Sequence, residues 1–194
     1  MGAALAGAAL EQGHEVVIIS GPVVVDYPSA AELIHVMTTD EMLAAAVKEF
    51  DRSDGAIGAA APCDYMPRVV QSQKISKTGG PLTVELIETP DVGATLGQSK
   101  RPDQWVVGFA LETEDQRFRA TVKLERKHCD LMVSNGPSAI DANDNHVEVL
   151  DHRGQVLAEI DGNKPFVAKR ILEEIDARLI RTNSRELGVR SEQG

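Results

Sequence analysis

Apolar and polar positions along this chain group into alternating helices and strands. Residues 2–12 are rich in alanine and read as a helix that stops at Gly13. His14–Ser20 holds a short apolar run, Val16 to Ile19, that reads as a buried strand, and Leu33–Met37 as the next. Thr38-Thr39-Asp40-Glu41 has the spacing of a capping box and opens a helix to about Phe50. Gly55–Ala60 reads as a strand with small side chains. Leu82–Ile87 reads as a strand in which Leu82, Val84 and Leu86 alternate with polar residues. Thr89 as N-cap and Pro90 at the first helical position start another helix. Trp105–Ala110 is a predicted strand, 114–127 a helix and Asp130–Ser134 a strand. His146–Leu150 and Val156–Ile160 flank the turn Asp151-His152-Arg153-Gly154. A last helix begins near Pro165 and keeps Ala168, Ile171, Leu172, Ile175 and Leu179 on one face.

Strands alternating with helices predict an α/β fold on a mostly parallel sheet, closed by a C-terminal β-hairpin and helix. The pattern supports one domain over residues 1–183, with a polar, frayed tail at 184–194 and no internal repeat. It breaks between Ala61 and Pro81, where three prolines and Gly79-Gly80 interrupt any periodicity. A loop of that length in a compact domain is expected to be functional, and residues 74–81 are expected to form a mobile lid. In a doubly wound fold a first strand feeds a glycine-rich turn that opens the first helix. Here the reading begins on the helix, so that strand and turn are expected to be missing.

Charge and cysteine content narrow the function. The formal net charge of -10 and the absence of a Lys/Arg cluster argue against nucleic acid as a partner. The apolar runs are far too short to span a bilayer, and Met1-Gly2-Ala3-Ala4-Leu5 lacks the basic flank of a secretory signal. Cys63 and Cys129 make no Cys-x-x-Cys, which fits a reduced cytoplasmic setting.

Generic catalytic signatures are missing: there is no G-x-x-x-x-G-K-S/T, no G-x-G-x-x-G, no G-x-S-x-G, and the five histidines lack metal-ligand spacing. Position in the fold says more, because ligands of open α/β sheets sit beyond the carboxyl ends of strands. Gly58-Ala59-Ala60-Ala61 would let backbone approach a ligand, and Asp64 would hold a ribose hydroxyl or a metal; a tight strand end with Asp64 in a turn explains them equally. Phe109 fits a base-stacking ring or a core aromatic. Asn135 fits a ligand contact or the first residue of an Asn-Gly turn. Asp91 fits a partner of the helix dipole. Lys74 fits a lid cation that neutralises charge on phosphate, or a solvated lysine. Lys123 and Lys127 share a helix face and by themselves read as solvated. Cys129 reads as a buried thiol.

Taken in order, these segments resemble the phosphopantothenoylcysteine synthetase family. The resemblance runs from Met1 to about Leu179. It rests on the Met-Gly-Ala start to an alanine helix, Ser20-Gly21-Pro22, Val36-Met37-Thr38, Ala60-Ala61 followed by Asp64-Tyr65, and Lys74-Ile75-Ser76-Lys77. Pro90-Asp91, Gly108-Phe109 with Glu112-Thr113, and Lys127 with Asp130 and Asn135 complete it. It implies a modified dinucleotide-binding, Rossmann-like fold and a homodimer. It implies a ligase that joins 4'-phosphopantothenate to cysteine through an acyl-cytidylate, with CTP as co-substrate and Mg2+ beside the nucleotide. A phosphopantothenoylcysteine decarboxylase is the implied fused or separate partner.

By the same resemblance Gly58, Ala59 and Ala60 give backbone contacts to the nucleotide, Asp64 binds CTP and is the candidate for the metal, and Lys74 is the catalytic lid lysine. Pro90, Asp91, Val92 and Gly93 surround the nucleotide, Phe109 is the aromatic at the base, and Lys123 and Lys127 are further CTP contacts. Ala61 and Asn135 are assigned to the substrate. Pro62-Cys63 departs from the family pattern before the aspartate, and the family's Arg-Phe/Tyr-Ile-Ser-Asn segment and Ser-Ser-Gly-Lys loop, expected ahead of Met1, do not occur in the sequence. Two rivals stand beside this reading. A short-chain-type NAD(P) oxidoreductase needs Tyr-x-x-x-Lys, but Tyr65 is followed at that spacing by Val69 and Tyr27 by Ala31. A degenerate nucleotide-binding subunit without activity would suit the missing loop.

Overall fold

The computed structural model describes residues 1–77, 79–111, 115–135 and 144–180. Its elements are α1 (Gly2–Glu11), β1 (Val17–Ser20), β2 (Glu32–His35), α2 (Thr39–Phe50), β3 (Gly55–Gly58), β4 (Tyr65–Pro67) and β5 (Leu86–Glu88). They continue with α3 (Val92–Ser99), β6 (Trp105–Leu111), α4 (Gln116–Arg126), β7 (Leu131–Asn135), β8 (Asp144–Asp151), β9 (Val156–Asn163) and α5 (Lys164–Ile175), which runs into a π-helical turn, Asp176–Ile180. The predicted alternation is present, and α2 opens on the expected capping box: Thr38 accepts from the Glu41 amide, and the Glu41 carboxylate accepts from the Thr38 amide.

The strands form three sheets. β3, β6 and β7 run parallel, and β8 and β9 extend that sheet antiparallel, in the order β3-β6-β7-β8-β9. β1 and β2 form a separate parallel pair. β4 and β5 form an antiparallel ribbon outside both. The five-stranded sheet alternates its side chains between two apolar layers. On one face Val107, Val133, Val147 and Val149 pack against Leu5 and Ala8 of α1 and Val167 and Ile171 of α5. On the other, Val106, Ala110, Met132 and Leu150 pack against Phe50 of α2, Leu96 of α3 and Leu124 of α4. Ile171 is fully buried, so truncating it to alanine costs about 2–5 kcal/mol. α1 is held by α5, and Met1 itself packs on that layer. The anchor of the first helix is therefore the last one.

Two expectations are corrected. The alternation at 82–87 forms a strand only over Leu86–Glu88; Leu82, Val84 and Leu86 stay exposed. The segment finds no core face because its partner is β4, which lies within the stretch read as irregular, and the ribbon packs outside the sheet. The helix expected from Pro90 begins at Val92, with Asp91 as its N-cap. The Asp91 carboxylate accepts from the Ala94 amide, whereas the Thr89 hydroxyl is spent on the Cys63 carbonyl. The expected tail at 184–194, Glu112, Thr113 and residues 136–143 lie outside the described residues.

Candidate functional site

The 59–91 excursion leaves the main sheet at the carboxyl end of β3 and returns at the N-terminus of α3. The β4–β5 ribbon folds it back on itself. Tyr65 pairs with Glu88, the Thr89 amide donates to the Asp64 carbonyl at 2.9 Å, and the Thr89 hydroxyl donates to the Cys63 carbonyl at 2.5 Å. Asp64 is thereby fixed beside Thr89-Pro90-Asp91, although it precedes them by a long stretch of sequence. Asp64 is exposed, while Pro90, Asp91, Val92 and Gly93 are half-buried.

Lys127, just past the end of α4, reaches the same place. Its ammonium donates to Asp91 Oδ1 at 3.1 Å, and Arg126 lies 3.8 Å from Asp91 Oδ2. The lysine stem lies across Gly93, where an added Cβ would sit 3.6 Å from the Lys127 Cδ. Burial by itself would raise the Asp91 carboxyl; the Ala94 amide and the Lys127 ammonium outweigh it and hold the group below the usual carboxylate range. The turn that carries Lys127 is set by close packing. Gly97 of α3 faces the Lys127 carbonyl so nearly that a Cβ would come within 1.9 Å of it. Lys100 donates to the His128 carbonyl at 3.0 Å and to Asp130 Oδ1 at 2.5 Å, and the Val106 amide donates to Asp130 Oδ2 at 2.7 Å. Lys123 is half-buried, a turn earlier on α4. Arrayed this way, an acid, a helix N-terminus and a cation suit an anionic ligand with a polar body.

The remaining candidates fall in two other places. Gly58 pairs with Gly108, so Ala59 and Phe109 lie side by side at the carboxyl edge of β3 and β6. Both are half-buried, and the Phe109 ring packs on the α1/α5 layer, the face opposite the one that α3 and α4 cover. Asn135 ends β7 opposite Leu111 and Val147. Its Oδ1, the Ser134 hydroxyl and the Asn145 Nδ2 are buried without hydrogen-bond partners among the described residues. Ala60 and Ala61 are exposed, and so is Lys74, in a segment without regular structure. Cys129 is buried, as expected, and burial pushes its thiol up to about 11. Two hollows among the described residues avoid these candidate side chains except Cys129: one is lined by Gly97, Lys100, His128 and His152 together with that thiol, the other by Asp115, Arg117, Phe118 and Glu148. Both are shallow, and neither is lined by Asp64, Asp91 or Lys127. Thr89 and Asn145 were missed in the sequence: only strand pairing brings Thr89 onto Asp64, and Asn145 shows itself only through its unpaired buried amide.

Three parallel strands extended by an antiparallel hairpin and flanked by helices on both faces, with an irregular excursion beyond the carboxyl end of β3, define a Rossmann-like α/β domain. Residues 1–179 match the family model described as the DNA/pantothenate metabolism flavoprotein C-terminal domain, and the chain belongs to that family. The coenzyme A biosynthesis bifunctional protein CoaBC of Bacillus subtilis (strain 168) is 38% identical over 190 residues, covering 95% of this chain and 47% of that protein. The chain thus spans about half the length of the curated relatives it matches. The solved C-terminal domain of a CoaBC protein superposes with a TM-score of 0.77 at 30% identity, over 93% of this chain and 82% of that one. A histidine-to-alanine mutant of Cab2, solved in complex with phosphopantothenate-cysteine, has a TM-score of 0.76 over 95% of this chain and 79% of its own; at 17% identity it speaks for the fold alone. Among the described residues no helix is long and apolar enough to cross a membrane.

Proposed function

We propose that this domain is a phosphopantothenate–cysteine ligase that uses CTP. A carboxylate oxygen of 4'-phosphopantothenate attacks the α-phosphorus of CTP and pyrophosphate leaves, which turns a poor electrophile into a mixed anhydride. The cysteine amine then attacks the acyl carbon, loses a proton, and CMP leaves with the bonding pair. The observation that carries the reading is the convergence of Asp64, Pro90–Gly93 and Lys127, residues distant in sequence that the family resemblance assigns to one nucleotide. Relatives named for coenzyme A biosynthesis support the substrate class.

In this reading Lys123 and Lys127 neutralise phosphate charge, and the N-terminus of α3 adds backbone donors. Gly58, Ala59 and Ala60 offer backbone at the carboxyl edge. Phe109 borders the base from the sheet, and Ala61 and Asn135 face the acyl substrate. Lys74 approaches as the anhydride forms and breaks. No cluster of three or more His, Cys, Asp or Glu side chains suited to a metal occurs among the described residues. Mg2+ carried by phosphates needs only one or two carboxylates, and Asp64 is the one we assign. The exposed apolar side chains of the ribbon and its flanks, Tyr65, Val69, Val70, Leu82, Val84 and Leu86, favour a homodimer that covers them. A cytoplasmic setting, and a decarboxylase working on the product, complete the proposal.

The test is pyrophosphate release with each substrate omitted in turn. Release that requires CTP and phosphopantothenate, with product formation that also requires cysteine, supports the reading. Equal rates with ATP overturn the choice of CTP, and release without phosphopantothenate overturns the ligase.

A further inference from the structure

Helix α4 begins without the usual capping. Asp115 stands at its N-cap in the left-handed region, φ 47°, and its side chain caps nothing. The first turn is held instead by Arg117. The guanidinium Nε donates to both carboxylate oxygens of Glu148 at 3.0 Å, and Nη2 donates to Glu148 Oε1 at 2.6 Å and to Glu159 Oε1 at 3.1 Å. Glu148 and Glu159 face each other directly across β8 and β9. Two like charges in that position repel, and the Glu148 side chain is only 9% exposed, so it needs a cation there. Arg117 is that cation for both, in a fork that fixes direction as well as distance.

The other end of α4 is tied on the opposite flank. Lys127 and Arg126 reach Asp91 at the start of α3. Ten residues of helix separate Arg117 from Lys127, about 15 Å along the axis and roughly 80° around it. One ion-pair cluster pulls the helix toward the hairpin, the other toward α3. They restrain its axial position and its rotation in addition to the apolar contacts of Leu124 and Ala120 and the packing of the Lys127 carbonyl on Gly97.

We propose that Arg117 is a positioning residue for nucleotide binding: through the rigid α4 it sets where the Lys127 ammonium stands relative to Asp91. This rests on the assignment of Lys127 to the nucleotide, and the experiment separates the two. CTP affinity is measured by calorimetry, and turnover by pyrophosphate release, for Arg117→Ala, Lys127→Ala and the double variant. Arg117→Ala is expected to weaken CTP binding by about three- to tenfold, with turnover at saturation lowered less than about twofold. In the Lys127→Ala background the Arg117 effect should vanish, because the group it positions is gone. Arg117→Lys, which keeps the charge without the fork, should fall between, and it carries the same test should Arg117→Ala fail to fold. A lower melting point with CTP affinity intact overturns the proposal, as does an Arg117 effect that persists undiminished without Lys127. If Lys127→Ala leaves CTP affinity unchanged, or the unaltered chain does not bind CTP, the nucleotide assignment itself falls and the proposal with it.

Discussion

Asp91 does two things at once: it caps α3 and it binds the cation that the ligand would use. Both hold its carboxyl below the ordinary range against the opposing effect of burial. A carboxyl depressed on folding adds stability above its unfolded pKa and loses it as pH falls through its folded one. We therefore expect the Asp91 titration, followed by carbon-detected NMR, to have its midpoint below the ordinary carboxylate value near 4. In Lys127→Ala it should move upward; an unmoved midpoint would mean that the ion pair does not form in solution. Lys74 tests the other side of the chemistry. If it acts only on the developing charge, Lys74→Gln lowers turnover by ~10^2-fold or more and leaves CTP affinity nearly intact. Near-normal turnover removes Lys74 from the mechanism. The two cysteines should separate cleanly: Cys63 is exposed, and Cys129 is buried with its thiol pushed up to about 11. Since the thiolate is the reactive form, iodoacetamide at neutral pH should label Cys63 alone; prompt labelling of Cys129 in folded protein would contradict the burial. These residues stood out in the sequence one by one as candidates, but their company did not. Lys127 looks solvated in the sequence because nothing local distinguishes a helix-end lysine that meets solvent from one that meets Asp91.

At the scale of elements, local signals were legible and distant pairings were not. The capping box of α2 is written in four consecutive residues and forms as read. The helix at Thr89-Pro90 carries a good start signal that loses to a better one two residues on, because the Cys63 carbonyl, just ahead of β4, takes the Thr89 hydroxyl. Nothing near Leu82 announces that its alternating partners will stay exposed; that follows from the pairing of β5 with β4, set by residues far away. The junction of α3 with the turn after α4 is the element contact on which the site depends. Gly97 permits it, since any Cβ there would strike the Lys127 carbonyl. Gly97→Ala should therefore destabilise the protein by about 1–3 kcal/mol, the range for overpacking, and weaken CTP binding as well by pushing Lys127 off Asp91. Thermal melts and calorimetry on one preparation decide it. A stable variant with unchanged affinity would show that the backbones separate without cost and that α3 does not register the turn.

For the whole molecule, the parallel order, the C-terminal hairpin and the closing helix were legible from periodicity, while the break in the sheet was expected only from topology. β1 pairs with β2 and β3 pairs with β6, but β1 and β3 do not pair with each other. They nevertheless border one core: Ile19 of β1 and Ala56 of β3 pack on the same apolar layer. Their residues are mostly half-buried, whereas those of β6 and β7 are mostly buried. In a doubly wound sheet the strand that feeds the first helix lies between these two neighbours, and the turn after it donates amides to phosphate. An unfilled position would leave backbone donors and acceptors of two strands without sheet partners. The comparison to make is between this chain and a version extended ahead of Met1 by about thirty residues, enough for a strand and its turn. The extended protein should melt at a higher temperature, because the added strand would cover the half-buried faces of Ile18, Ile19 and Ile57. It should also release pyrophosphate from CTP faster, because the added turn would bring amide donors to the triphosphate beside α1. The two gains have separate causes. A rise in melting point with no gain in activity would mean that the strand fits and the phosphate turn lies elsewhere. If the chain as it stands equals the extended version in both, the gap between β1 and β3 needs no strand, and the assignment of the nucleotide to this edge of the sheet is wrong.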